Sequence, residues 1–333
     1  MKITYALALA FLAACGTPEK KTTSYQVIGS IERIDPEINS VIDTGAVMEI
    51  IAEGFDWSEG PVWLEKQNKL LFSDVPKNTI YSWTEEKGQE VYLTPSGYTG
   101  TTPRGGETGS NGLRLMGDSL VLCQHGDRQV GVMSASLDAP QPTFRTIAGL
   151  YNGKKFNSPN DLAIRSNGDI FFTDPPYGLE KGMNDSLKES TFQGVYRVTR
   201  DGKVSLLIDS ITRPNGIVFT PGEKTVIVAN SDPAKPFWYA FDISGDSLTN
   251  ARIYHDASAA AKAEKGLPDG LKISKQGYVF ASGPGGLWIF NKDGKLIGKC
   301  KIPEATSNCA LSDDEKTLYI TSDMYVLRLK LRD

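Results

Sequence analysis

Six times along this chain a single Asn, Asp or Glu stands just ahead of a short apolar strand. A second apolar strand, ending in a polar residue, follows each time at a nearly fixed distance. The copies are Trp57-Ser58-Glu59-Gly60, Gly109-Ser110-Asn111-Gly112, Ser158-Pro159-Asn160-Asp161, Arg213-Pro214-Asn215-Gly216, Leu267-Pro268-Asp269-Gly270 and Thr306-Ser307-Asn308-Cys309. Their partner strands end at Asp74, Gln124, Asp174, Asn230, Ser282 and Ser322, giving separations of 15, 13, 14, 15, 13 and 14 residues. Repeats of about 40–50 residues with several strands each point to a β-propeller, in which equivalent positions from every blade converge on one axis.

Third strands are expected at Thr79–Thr84, Val130–Met133, Gly194–Thr199, Trp238–Ile243, Gly286–Phe290 and Tyr325–Leu331. Fourth strands are expected at Glu90–Leu93, Thr143–Ile147, Val204–Ile208, Ala251–Tyr254 and Leu296–Ile302, one short of the six required. The apolar run Val47–Ile51, ahead of the first copy, supplies the missing one and would close the ring by completing the last blade. The expected fold is therefore all-β: six four-stranded blades over residues 41–333, the last closed by an N-terminal strand. Long segments of helical period are absent and only Ala257–Lys265 reads as helix, which disfavours an α/β fold. Arg104-Gly105-Gly106 and Gly283-Pro284-Gly285-Gly286 lack the order of a phosphate loop and read as turns near the channel mouth.

The segment before the repeats belongs to targeting. Lys2, the apolar stretch Ala6–Ala14 and the sequence Leu12-Ala13-Ala14-Cys15 resemble a bacterial lipobox, with residues 1–14 as signal peptide and Cys15 as the lipidated residue. Residues 15–40 read as lipidated N-terminus and flexible tether, most plainly the polar stretch Thr17–Ser24. This places the domain outside the cytoplasm, on a bacterial membrane. No other segment approaches the roughly 18 apolar residues of a spanning helix. The remaining cysteines, Cys123, Cys300 and Cys309, form no CxxC pair and give neither a disulfide framework nor a zinc signature. With 36 basic and 40 acidic residues and no basic stripe, the charge pattern argues against nucleic acid as a partner. A monomer is expected.

Taken as one constellation, the six anchors bring two carboxylates, Glu59 and Asp269, and four amides, Asn111, Asn160, Asn215 and Asn308. Oxygen donors of this kind suit a hard cation such as calcium, and the lack of His or Cys disfavours zinc and copper. Two negative charges would balance one divalent ion. The competing reading is that these residues only shape the turn entering each inner strand; Glu59 weighs against it, because Glu is not a turn former.

Glu59-Gly60-Pro61-Val62-Trp63, Ser158-Pro159-Asn160-Asp161-Leu162, Pro214-Asn215-Gly216-Ile217 and Asp269-Gly270-Leu271 resemble the SMP-30/gluconolactonase family of calcium-dependent six-bladed propellers. Cys123-Gln124-His125-Gly126 and Phe172-Thr173-Asp174-Pro175-Pro176-Tyr177-Gly178 are similar to its bacterial gluconolactonase-type branch. The resemblance implies a metal held by Glu59, Asn160, Asn215 and Asp269. It also implies hydrolysis of a small sugar lactone, in which a divalent ion, most simply Ca2+, polarises the carbonyl while Asp269 assists the attacking water. Organophosphate hydrolysis on the same metal, or a non-catalytic propeller with a structural calcium, are the alternatives. Asn111, His125, Glu107, Arg128 and Tyr177 are expected to contact substrate. His125 is also placed to shuttle a proton near neutral pH, and His255 is expected to be structural.

Overall fold

The protein, described here by a computed structural model covering residues 24–332, is a ring of six antiparallel sheets. The expected signal segment, residues 1–14, and Cys15 lie outside the described residues. The first blade runs Ser58–Leu64, Lys69–Asp74, Thr79–Thr84 and Gly88–Leu93, each strand pairing with the next. The second through fourth blades repeat this order, beginning at Ser110–Met116, Leu162–Ile164 and Pro214–Phe219. The fifth begins at Leu271–Ile273 and the sixth at Thr306–Leu311. In the sixth, Met48–Glu53 pairs with Tyr325–Lys330, so the N-terminal strand closes the ring as its apolar run predicts. The expected helix is one turn, Ser258–Ala261, flanked by bends. Among the described residues no helix is long and apolar enough to cross a membrane.

The second strand of each blade explains why these runs are continuously apolar. Side chains alternate faces along a strand, and both faces are covered by a neighbouring blade. Leu71 packs with Leu113 and Leu122 of the second blade. Its neighbours Leu70 and Phe72 point the other way, against Ala310 and Tyr319 of the sixth. Six apolar clusters of this kind fill the six seams of the ring. Cys123, Cys300 and Cys309 sit in them as buried free thiols, and burial raises all three pKa values, which leaves them unreactive.

The tether expected over residues 15–40 ends earlier than its polar composition suggests. Gln26–Val27 adds a fifth strand to the sixth blade, and Ser30–Arg33 adds a fifth to the fifth blade. A 3-10 turn, Pro36–Ser40, follows, with Asp35 accepting from the Glu37 N–H at 2.9 Å as its cap. Ile38 is fully buried in the seam between these two blades. The segment is ordered because it carries apolar side chains at the right spacing to cover exposed strand edges.

Candidate metal and active site

At one mouth of the channel the strands delivering Glu59, Asn111, Asn215 and Asn308 lose their regular register at or beside the anchor. A bulge re-aims a side chain without ending the strand, and here it turns the anchor toward the axis. Asn160 and Asp269 come from the loops just ahead of Leu162 and Leu271. The residue after the anchor is held close to the next blade. A Cβ on Gly60 would lie 1.9 Å from the Asn111 carbonyl oxygen, and Gly60 has φ +51°, so no side chain fits there.

The six seams are stitched at this level by donors onto backbone oxygens. Ser73 Oγ donates to Asn111 O (3.1 Å), Gly112 N to Asn160 O (2.7 Å) and Thr173 Oγ1 to Asn215 O (2.7 Å). Ser231 Oγ donates to Pro268 O (2.6 Å), Ser282 Oγ to Ser307 O (2.7 Å) and Ser307 Oγ to Ser58 O (2.6 Å). The polar ends of the second strands hold the loops that lead into the anchors. Asp74 accepts from Asp56 N and Trp57 N, Asp174 from Asn157 N and Ser158 N, and Asn230 from Arg213 N. This pinning is the physical reason for the near-constant separation between anchor and strand end.

The anchors open into a cavity of about 330 Å³ lined by Glu59, Asn111, Asn160, Asn215 and Asp269, with Trp57, Glu107, Tyr177 and Arg213 among its walls. Four of its oxygens, Asn111 Oδ1, Asn160 Oδ1, Asn215 Oδ1 and Asp269 Oδ1, are buried without a hydrogen-bond partner. The amide orientations have visible causes. Asn215 Nδ2 donates to Ser231 Oγ at 2.9 Å, and Asn160 Nδ2 lies 3.5 Å from His125 Nε2, so both oxygens are left free. Glu59 has one oxygen committed: Oε2 accepts from Gly60 N at 2.6 Å and Asn308 Nδ2 at 3.1 Å.

Burial raises the pKa of both Glu59 and Asp269, and each carboxylate lifts the other or is lifted by Asp161 nearby. Two carboxyls that resist ionisation side by side, next to unpartnered carbonyl oxygens, are what a cation would reverse. The residues therefore fit a hard divalent ion. No cluster of three or more His, Cys, Asp or Glu side chains occurs among the described residues, so such an ion would depend on amide oxygens.

Glu107 lines the cavity with its pKa pushed up to about 7 by burial. The hydroxyl of Tyr177 is buried without a hydrogen bond. Two residues expected on the wall are elsewhere. His125 is fully buried behind Asn160, under the loop carrying Gly178, and burial drives its pKa down to about 3. Burial disfavours its charged form, which weighs against the proton-shuttle role expected of it; Nε2 lies 3.5 Å from the Asn160 amide and Nδ1 3.6 Å from the Glu107 carboxylate. Arg128 is also withdrawn. Its Nε donates to Phe156 O at 2.6 Å and its Nη1 reaches Glu189 at 3.4 Å, so it ties the second blade to the third. His255 packs against Trp238, Trp288 and Phe290 in the outer part of the fourth blade, away from the cavity.

Trp57, Arg213, Ser231, Leu267 and Thr306 line the cavity and were not expected from the sequence. Each lies within a few residues of an anchor or a strand end, on the loops between blades. The repeat locates those loops but does not say which of their side chains turn inward.

The sequence profile of the SMP-30/Gluconolactonase/LRE-like region matches residues 57–324. A gluconolactonase from Zymomonas mobilis subsp. mobilis is 34% identical over 98% of this chain and 92% of its own length. The structure of a gluconolactonase from Xanthomonas campestris superposes with a TM-score of 0.78 at 26% identity, covering 93% of this chain and 99% of that one. A calcium-binding regucalcin from Agrobacterium tumefaciens, 14% identical over 85% of this chain and 94% of its own, has a TM-score of 0.63 and shares the fold.

Proposed function

Since the chain belongs to the SMP-30/Gluconolactonase/LRE-like family, we propose that it hydrolyses a small sugar lactone with the help of a divalent cation, most simply Ca2+. The observation that carries the reading is the convergence of Asn160 Oδ1, Asn215 Oδ1 and Asp269 Oδ1, unpartnered and buried, on the cavity that also holds Glu59. The family likeness to a gluconolactonase supplies the reaction class, and the fold it shares with a calcium-binding protein supports the choice of ion.

Glu59, Asn160, Asn215 and Asp269 would hold the ion. A bound divalent cation supplies Lewis acidity toward a lactone carbonyl. Asp269 presents Oδ1 to the cavity and is the group placed to take the proton of an attacking water. Glu59, with Oε2 fixed by two donors, is the rigid carboxylate of the pair. Asn111 offers a further acceptor for a substrate hydroxyl. Water's oxygen joins the carbonyl carbon, the ring C–O bond opens to a hydroxyl, and one proton is released.

That proton gives the test. A pH-stat assay of the domain lacking Cys15 against a panel of aldonolactones should show turnover that chelator removes and calcium restores. Absence of turnover on every lactone, with calcium present, would sink the proposal. An acylated Cys15 would hold the domain on a membrane surface outside the cytoplasm; the Cys15→Ser chain should then move from the membrane fraction to the soluble one.

A further inference from the structure

Arg213 stands out among the cavity walls. Its backbone is fixed on both sides: its N–H donates to Asn230 Oδ1 at 2.8 Å, and its carbonyl accepts from Ser231 N at 3.0 Å. Its guanidinium makes no hydrogen bond or ion pair among the described residues, although Glu59, Glu107 and Asp269 line the same cavity. The Tyr177 hydroxyl, buried beside Ser231, is close enough to feel the charge of Arg213. A half-buried guanidinium with no partner of its own is a receptor for a planar anion, because its paired N–H groups match a carboxylate edge.

The reaction proposed above creates such an anion. A neutral lactone enters, and water addition with ring C–O cleavage leaves a hydroxyl, a carboxylate and a released proton. We propose that Arg213, with the Tyr177 hydroxyl beside it, is a carboxylate anchor that holds the ring-opened acid more tightly than the neutral lactone, so that hydrolysis is restrained by its own product. This inference rests on the lactonase reading for its biological meaning, but the anchor itself is a binding claim. A charge-assisted bidentate contact made only by the product predicts a difference of about tenfold or more between acid and lactone.

The test uses the domain with calcium and compares wild type, Arg213→Met and Arg213→Lys. Inhibition of aldonolactone hydrolysis is measured with the corresponding aldonate and with the matching alditol, the same polyol without the charge. In wild type, aldonate should inhibit at about one tenth of the alditol concentration or less. Arg213→Met should raise the aldonate inhibition constant about tenfold or more while KM for the lactone rises by a smaller factor, and Arg213→Lys should fall between. Unchanged aldonate inhibition in Arg213→Met, or equal rises in KM and inhibition constant, would overturn the assignment. Calorimetric titration of aldonate, with calcium and with chelator, separates this from the lactonase reading. If no lactone is hydrolysed yet aldonate binds wild type and not Arg213→Met, the anchor stands and the reaction class falls. If chelator abolishes aldonate binding and Arg213→Met does not weaken it, the carboxylate sits on the ion and the anchor is wrong. Should Arg213→Met fail to fold, the lysine variant carries the same comparison.

Discussion

The two ends of the channel solve opposite electrostatic problems. At the mouth that holds the cavity, the anchors present carboxylates and unpartnered amide oxygens, with Arg213 on the wall beside them. Three residues further along the inner strands, the second and fifth blades place Arg114 and Lys272 in the channel, with Asp161 beneath the anchors as their nearest carboxylate. Lys272 Nζ donates to Asn308 Oδ1 at 2.7 Å and to Leu271 O at 3.2 Å, and Asn308 passes its own Nδ2 to Glu59. The lower end has built its cation into the chain, whereas the upper end is arranged to receive one. That difference also divides the two carboxylates, because Glu59 is wired to the lower network and Asp269 keeps Oδ1 without a partner.

The sharpest way to break the comparison is Asp269→Asn. It should lower kcat by about a thousandfold, the scale of a lost general base. Melting temperature should stay level or rise, because a buried like charge has been removed. A large fall in melting temperature with modest loss of rate would make the upper end structural instead. Glu59→Gln should weaken calcium by roughly a hundredfold, read by calorimetry, since a rigid carboxylate becomes an amide.

The third test uses pH. In the metal-free protein the pKa values of Glu59 and Asp269 are raised above those of the unfolded chain by burial. Their contribution to stability is therefore fully present below the unfolded values near 4 and is lost as pH rises through the folded ones. In chelator, melting temperature should drop by about 3 °C or more between pH 5.5 and 8, and saturating calcium should remove the drop. Calcium affinity itself should strengthen with pH, up to about tenfold per unit for each proton displaced. A flat metal-free profile would show that these carboxyls are not held in the protonated form.

The smallest effect on rate is expected at the lower end. Lys272→Met removes the charged donor from Asn308 Oδ1, which keeps only the Cys309 N–H at 2.9 Å, a cost of about 1–3 kcal/mol. Melting temperature should fall by several degrees while kcat changes by less than about threefold. If instead kcat collapses, the link through Asn308 to Glu59 matters for chemistry, and the two ends are one site.

The upper half of this contrast was legible in the residues themselves, and the Arg114 and Lys272 half was not. The anchors could be read because the fold pins all six by the seam donors and three of them again by Asp74, Asp174 or Asn230 at the strand end. Such pinning tolerates little change in length, so it leaves a period. His125 misled because the residue after a strand end reads as a mouth position; the loop carrying Gly178, contributed by the next blade, covers it. Arg213 and Trp57 escaped notice because, although each stands two residues ahead of an anchor, the residue type at that position changes from copy to copy. Arg128 looked free because its partners, Phe156 O and Glu189, lie far along the chain. The ordered stretch over residues 26–40 was masked by polar neighbours and by strand edges contributed from the opposite end of the sequence.

The closing strand sets a rule for how this molecule can be made and trimmed. Glu49 and Arg328, 279 positions apart, meet side by side in the last blade, so the closing strand waits for the last strand of the ring. Open solenoids shed terminal repeats and keep the remainder. This circle has no dispensable end: cutting away Tyr325–Lys330 would strip Met48–Glu53 of its neighbour and undo the clasp at both termini at once.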